Sequence, residues 1–97
     1  MTKAKIINEV SDMTGLTKVE VEAVLEGVVY SITSSLKRNE RVDIRGFGSF
    51  IIKHREARDA RNPATNEVVQ LKERFIPSFK VSKILKENVN KSLIDEY

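Results

Sequence analysis

Apolar residues first recur with a helical period: Ile6, Ile7, Val10 and Met13 share one face, Thr2 can cap the start, and Gly15 supplies a left-handed stop. Thr17 and Glu20 then form a capping box, with Leu16 placed to staple onto Val21, so a second helix begins at once. Its apolar positions are Val21, Val24, Leu25, Val28, Val29, Ile32 and Leu36, and Lys37, Arg38 and Asn39 close it with charges suited to the helix dipole. The three- and four-residue steps outweigh the β-propensity of so many valines. This stripe runs roughly five turns, wide enough to face both a sheet of its own chain and a second copy of the chain. Val28, Val29 and Ile32 are accordingly expected in a dimer core. A helix-turn-helix reading is disfavoured, because Glu20, Glu22 and Glu26 on the outer face of the second helix would meet phosphates at close range.

From Arg41 the period changes to two. Val42 and Ile44 alternate with Arg41, Asp43 and Arg45, and Gly46-Phe47-Gly48 turns the chain into a second strand, Ser49 to Arg55. A return run from Val68 to Lys72 leads into Phe75 to Val81, and the two runs read as one long hairpin. Between His54 and Phe75 the only apolar side chains larger than alanine and proline are Val68, Val69 and Leu71. Such a stretch cannot build a core of its own, so residues 54–75 are expected to project as a ribbon. Its cations, Arg55, Arg58, Arg61, Lys72 and Arg74, with Lys53 at its root, outnumber Glu56, Asp59, Glu67 and Glu73. The tip, Arg61-Asn62-Pro63-Ala64-Thr65-Asn66, has turn chemistry, with Asn66 suited to left-handed geometry and Pro63 a rigid apolar wedge of the kind that unstacks base steps. An ordinary solvated hairpin of mixed charge is the plainer alternative.

Composition then narrows the class. At 97 residues the chain is read as one domain, 1–97, near the lower limit for a self-sufficient core, which again points to oligomerisation. Seventeen basic residues against 14 acidic ones, net +3, suit a polyanionic partner without deciding it. Cysteine is absent and histidine occurs once, which excludes disulfides and thiolate metal sites, so no metal or cofactor is expected. No apolar run is long enough to span a membrane and no signal-peptide core is visible, so the expected location is the cytoplasm. His54 has no neighbouring nucleophile in a recognisable motif, and no enzymatic role is expected.

Three motifs carry a resemblance. Gly46-Phe47-Gly48-Ser49-Phe50, Arg61-Asn62-Pro63-Ala64-Thr65 and Pro77-Ser78-Phe79-Lys80 with Lys83 and Leu85 are similar, in order and spacing, to the bacterial HU and integration host factor proteins from Thr2 to about Asn90. The resemblance implies an α+β fold: an intertwined dimer with a helical base, a three-stranded antiparallel sheet with a protruding β-ribbon arm, and a short C-terminal helix. It implies an architectural, nucleoid-associated protein that binds the minor groove and bends and compacts double-stranded DNA with little sequence specificity, preferring bent, nicked or flexible duplex. It also assigns roles: Arg55, Arg58, Arg61 and Asn62 along the arm, Pro63 intercalating at its tip, Lys72 and Arg74 on the returning strand, Lys80 and Lys83 at the saddle. Ser82 caps the last helix and with Lys83 offers a phosphate site, with Lys86 near it and solvation as the plainer role for both lysines. Phe47, Phe50 and Phe79 resemble packing residues of the dimer core.

The chain departs from that pattern at Asn66, where the family usually has glycine, and at Asp59, a carboxylate among arm arginines. A C-terminal extension, 91–97, continues the spacing of Leu85, Val89, Leu93 and Tyr97 and suggests that the third helix runs on. The stretch from Asp43 to Phe50 looks closer to the second subunit of integration host factor than to HU, and Asp43 could orient Arg45 toward the minor groove. A homodimer is expected, with a heterodimer of paralogues and an associated site preference as the alternative. A dimeric module binding acidic protein partners is the alternative of another class.

Overall fold

The computed structural model describes residues 1–95, in the order α1 (Lys3–Thr14), α2 (Lys18–Lys37), β1 (Val42–Ile44), β2 (Gly48–Arg55), β3 (Arg58–Arg61), β4 (Val68–Leu71), β5 (Arg74–Val81) and α3 (Lys83–Asp95). The chain divides into two compact units, residues 1–35 and the residues from Leu36 onward.

In the first unit the expected caps form. Thr2 Oγ1 accepts from the Lys5 N–H at 3.3 Å, and Gly15, at φ 78°, donates its N–H to the Ser11 carbonyl. The capping box is reciprocal: Glu20 N–H to Thr17 Oγ1 at 3.1 Å, Thr17 N–H to Glu20 Oε1 at 3.2 Å. These bonds satisfy donors that a helix start otherwise leaves open. Lys3 Nζ donates to Glu26 Oε1 at 2.8 Å, tying α1 to α2. The hydrogen bond holds the Glu26 carboxyl below its ordinary range and the Lys3 ammonium above its own, and the Thr17 hydroxyl and N–H lower Glu20 in the same way.

Ile7 and Val21 are the buried apolar residues of this unit. The rest of the α2 stripe is only partly covered: Leu25, Ile32 and Leu36 are half-buried, while Val28 at 46% and Val29 at 55% stand exposed beside Val24 and Tyr30. One copy of the chain thus leaves most of that face without a partner.

In the second unit β1, β2 and β5 form an antiparallel sheet in the order β1-β2-β5, and β3 pairs with β4 in a separate two-stranded sheet. The alternating run Arg41 to Arg45 is a strand only over Val42–Ile44, because Gly46, at φ 84°, turns the chain and Phe47 donates its N–H to the Ile44 carbonyl. The expected single long hairpin is interrupted. Arg55 pairs with Arg74 and, three residues further along each strand, Arg58 pairs with Leu71; residues 56–57 and 72–73 between them have no ladder partner, although the register runs on unchanged. Phe79 lies against Phe47 and Phe50 with ring centroids 5.1 and 5.0 Å apart, a tilted aromatic cluster in which Phe50 is half-buried and Phe47 and Phe79 remain exposed. The third helix does run on as its spacing suggested, to Asp95, with Ile84, Val89, Leu93 and Ile94 exposed; Tyr97 lies outside the described residues.

Three carboxyls, Glu20, Glu26 and Asp43, therefore have lowered values in the folded chain. A carboxyl lowered on folding stabilises the fold above its unfolded value, about 4, and that contribution is lost as pH falls through the folded value. The urea midpoint, followed by circular dichroism, is expected to fall from pH 6 to pH 3, with a smaller fall in Glu26→Gln; equal slopes for the two proteins would show that the Lys3 pair contributes nothing.

Candidate nucleic-acid interface

Directly opposed residues of an antiparallel pair lie on the same face, and neighbours along a strand alternate. The register therefore sorts the three-stranded sheet into two unlike faces. One carries Val42, Phe50, Ile52, Phe79 and Val81 with Pro77, His54 and Phe75. The other carries Asp43, Ser49, Lys80, Lys53, Arg55 and Arg74, with Ile51, Ile76 and Ser78 between them. Four cations thus share one face, with Arg55 directly opposite Arg74 at its far end. Like charges at that spacing repel unless an anion lies between them.

At the near end a cradle of about 450 Å³ is lined by Arg41, Arg45, Lys80, Ser82 and Lys83. Asp43, expected to orient Arg45, instead holds Arg41: Arg41 Nε donates to Asp43 Oδ1 at 2.8 Å and Arg41 Nη2 to Ser49 Oγ at 3.2 Å, while Ser49 Oγ donates to Asp43. Ser49 first, then Arg41, keeps the Asp43 carboxyl below the usual range. The strand ends before Arg45, so the two-residue spacing that would align it with Asp43 no longer applies. Arg41 is the cation that sequence reasoning left out; its signal was an equal spacing from Asp43 on the other side.

Ser82 caps α3 as expected, its Oγ accepting from the Leu85 N–H at 3.1 Å. The same hydroxyl donates to the Gly46 carbonyl at 3.0 Å, and the Ser82 N–H to the Phe47 carbonyl, so the residue also fastens the helix start to the β1–β2 turn. Lys83 stands at that helix start within the cradle and also lines a second groove, of about 690 Å³, that holds Lys86 with Val81, Leu85, Val89 and Leu93.

Beyond the sheet, Arg55, Arg58 and Arg74 share a cleft of about 460 Å³ with His54 and Glu56. Lys72 lies in the unpaired gap. On the β3–β4 ladder Arg58 shares a face with Ala60, Val69 and Leu71, and Arg61 shares the other with Asp59, Gln70 and Val68. The tip is self-organised: Asn62 Oδ1 accepts from the Ala64 N–H at 2.9 Å, Asn66 donates its N–H to the Asn62 carbonyl at 2.7 Å, and Arg61 Nη1 donates to Asn66 Oδ1 at 3.3 Å. Asn66 takes φ 60°, the left-handed geometry its side chain tolerates. Pro63 stands exposed in this turn.

A family model described as bacterial DNA-binding protein matches residues 1–90. The chain is 42% identical over 94 residues to integration host factor subunit beta of Marinobacter nauticus, covering 96% of each chain. It is 37% identical over 91 residues to DNA-binding protein HU of Clostridium pasteurianum, covering 94% of this chain and all of that one. Its fold is similar to that of Anabaena HU in a cocrystal with DNA, with a TM-score of 0.82 and 32% identity over 92% of this chain and 97% of the other.

Proposed function

The chain belongs to the bacterial DNA-binding protein family, and from that premise we propose that it is an architectural protein that binds, bends and compacts double-stranded DNA as a homodimer. The observation that carries the reading is the sorting of Lys53, Arg55, Arg74 and Lys80 onto one sheet face, with Arg58, Arg61 and Lys72 on the ribbon beyond it, which ends in an exposed proline. That face and the cradle of Arg41, Arg45, Lys80 and Lys83 receive the phosphates of the duplex body. The ribbon, through Arg58, Arg61 and Asn62, follows the minor groove, and Pro63 enters a base step. Ser82 contributes through the helix start that it caps, where backbone donors and Lys83 meet a phosphate. Lys72 and Lys86 supply charge at the margin of this surface. A second copy of the chain covers the exposed α2 stripe, Val28, Val29 and Ile32, and the aromatic cluster of Phe47, Phe50 and Phe79. The chain works as one DNA-binding domain, 1–97, in the cytoplasmic nucleoid, without catalytic chemistry.

Sequence preference of the integration host factor kind is a second reading, favoured by the fixing of Arg41 through Asp43 and Ser49. An arginine held in one orientation senses a narrow groove better than a free one.

Binding to a phosphate chain releases counterions, so log K falls linearly with log salt at about 0.9 per phosphate neutralised. Replacing Arg55, Arg58 and Arg61 by alanine in both protomers is expected to reduce the magnitude of that slope by about 5. Gel shifts over a salt series measure it on intact, nicked and A-tract duplex, double-stranded RNA and an acidic peptide. An unchanged slope, or equal affinity for peptide and duplex at moderate salt, defeats the DNA reading; a preference for A-tract that vanishes in Arg41→Ala supports the second one.

A further inference from the structure

The two ladders are separated by a gap at the root of the arm: residues 56–57 and 72–73 lack ladder partners, and the paired strands on either side keep one register. A side-chain contact reaches into this gap. His54 Nε2 lies 2.8 Å from Glu73 Oε1, and the imidazole stacks on its cross-strand partner Phe75 with centroids 4.7 Å apart and planes at 24°. The stacked ring is thus held from one side by Phe75, while its outer nitrogen holds the unpaired residue that immediately precedes β5. We propose that His54 and Glu73 form a proton-dependent tie between the two strands at the edge of this gap and so position the arm for the duplex, with His54 as a positioning residue rather than a base contact.

The chemistry follows from the partners. A neutral imidazole donates to the Glu73 carboxylate only in the tautomer that carries its proton on Nε2, whereas a protonated one always carries it and adds the attraction of an ion pair. An ion pair needs the imidazole protonated and the carboxylate ionised, so the tie weakens when the imidazole gives up its proton. The charged groups around it are Lys53 and Arg55 beside His54 on β2, Glu56 and Arg58 in the shared cleft, and Lys72 and Arg74 beside Glu73. Histidine is the side-chain type suited to changing charge between pH 5 and 8. A change in arm order within that window therefore reports His54. An arm already held in direction loses less conformational freedom on meeting DNA, so the tie raises affinity without touching the duplex. That last step rests on the DNA-binding reading; the tie itself does not.

The test is ¹⁵N relaxation of residues 58–71 in the DNA-free protein at pH 5.5 and 8.0, in wild type, His54→Gln and Glu73→Gln. Wild-type order parameters are expected to be higher at pH 5.5, and those of both variants flat. A flat wild type, or a Glu73→Gln variant that keeps the wild-type change, overturns the proposal. Glu73→Gln leaves the histidine charge in place, so it separates the tie from direct attraction of DNA to an imidazolium. On intact duplex the wild type is expected to bind roughly two- to fivefold tighter at pH 5.5 than at pH 8.0, the range of an exposed ion pair, and Glu73→Gln to show no such gain. A gain retained in that variant assigns it to direct charge and likewise overturns the proposal. The relaxation measurement needs no DNA, so failure to bind duplex would unsettle the function proposed above while the relaxation result still decides whether the tie exists.

Discussion

Gly48→Ala is expected to cost about 3 kcal/mol of stability or more, lowering the thermal midpoint on the order of 15 °C by circular dichroism. A Cβ at this position would stand 2.5 Å from Phe79 Cζ, 2.7 Å from Phe79 Cε1 and 2.6 Å from the Lys80 carbonyl oxygen. The phenyl ring could swing aside, but only by leaving its contacts with Phe47 and Phe50. The carbonyl cannot move independently, because it belongs to the β5 backbone opposite β2. Gly48 opens β2 and pairs with both Ile44 and Val81, so the displacement would pass to both neighbouring strands and to the cradle that holds Arg41, Lys80 and Lys83. Combining Gly48→Ala with Phe79→Ala removes the ring clash but not the carbonyl clash, and is expected to restore none of the lost stability. A midpoint within a few degrees of wild type for Gly48→Ala would mean that the two strands can separate at this point at little cost.

Pro63→Ala is expected to leave the fold intact and to act on the DNA. The tip keeps its shape without the pyrrolidine ring, because its hydrogen bonds run through Asn62, Ala64, Asn66 and Arg61. What disappears is the rigid apolar surface that holds an opened base step. Smooth bending of a 20–30 bp site by 40–90° costs about 1–6 kcal/mol, and wedges offset part of that by unstacking one step. On intact duplex the variant should therefore bind about tenfold more weakly and bend less, read by fluorescence transfer between duplex ends. On duplex nicked at the kink, where a step is already open, the loss should be much smaller. Removing arm charge behaves differently, since it weakens binding to both duplexes alike. Equal losses for Pro63→Ala on the two duplexes would remove intercalation from the mechanism.

Much of the framework is local chemistry and was legible along the chain. Thr2, Gly15, Thr17 with Glu20, and Ser82 each mark a helix boundary through bonds to residues within four positions, and the structure places all of them as caps. Asn66 likewise adopts the left-handed geometry that its type allows. What escaped was set across strands. Asp43 had arginines two residues away on both sides, and the choice of Arg41 depends on where Gly46 ends β1 and on Ser49 standing opposite. The interruption of the long hairpin has no local breaker to announce it: Glu56, Ala57, Lys72 and Glu73 include neither glycine nor proline. The opposition of His54 to Phe75 and its reach to Glu73 follow from register, which a single strand does not display. Arm cations were easy to name for the same reason that their faces were not, because charge is written in the sequence and sidedness is fixed by pairing.

Among the described residues Ile7 and Val21 are the only apolar side chains buried within one copy, so in the dimer proposed above folding and association are expected to be a single event. Its resistance to heat must then climb with the logarithm of its own abundance, as for any obligate dimer. A cell that makes too little of it would hold open chains, ready substrates for proteolysis, and one that makes enough would hold a durable stock. Supply would thus set a threshold for the stock of folded protein, imposed by the bare flank of a single helix.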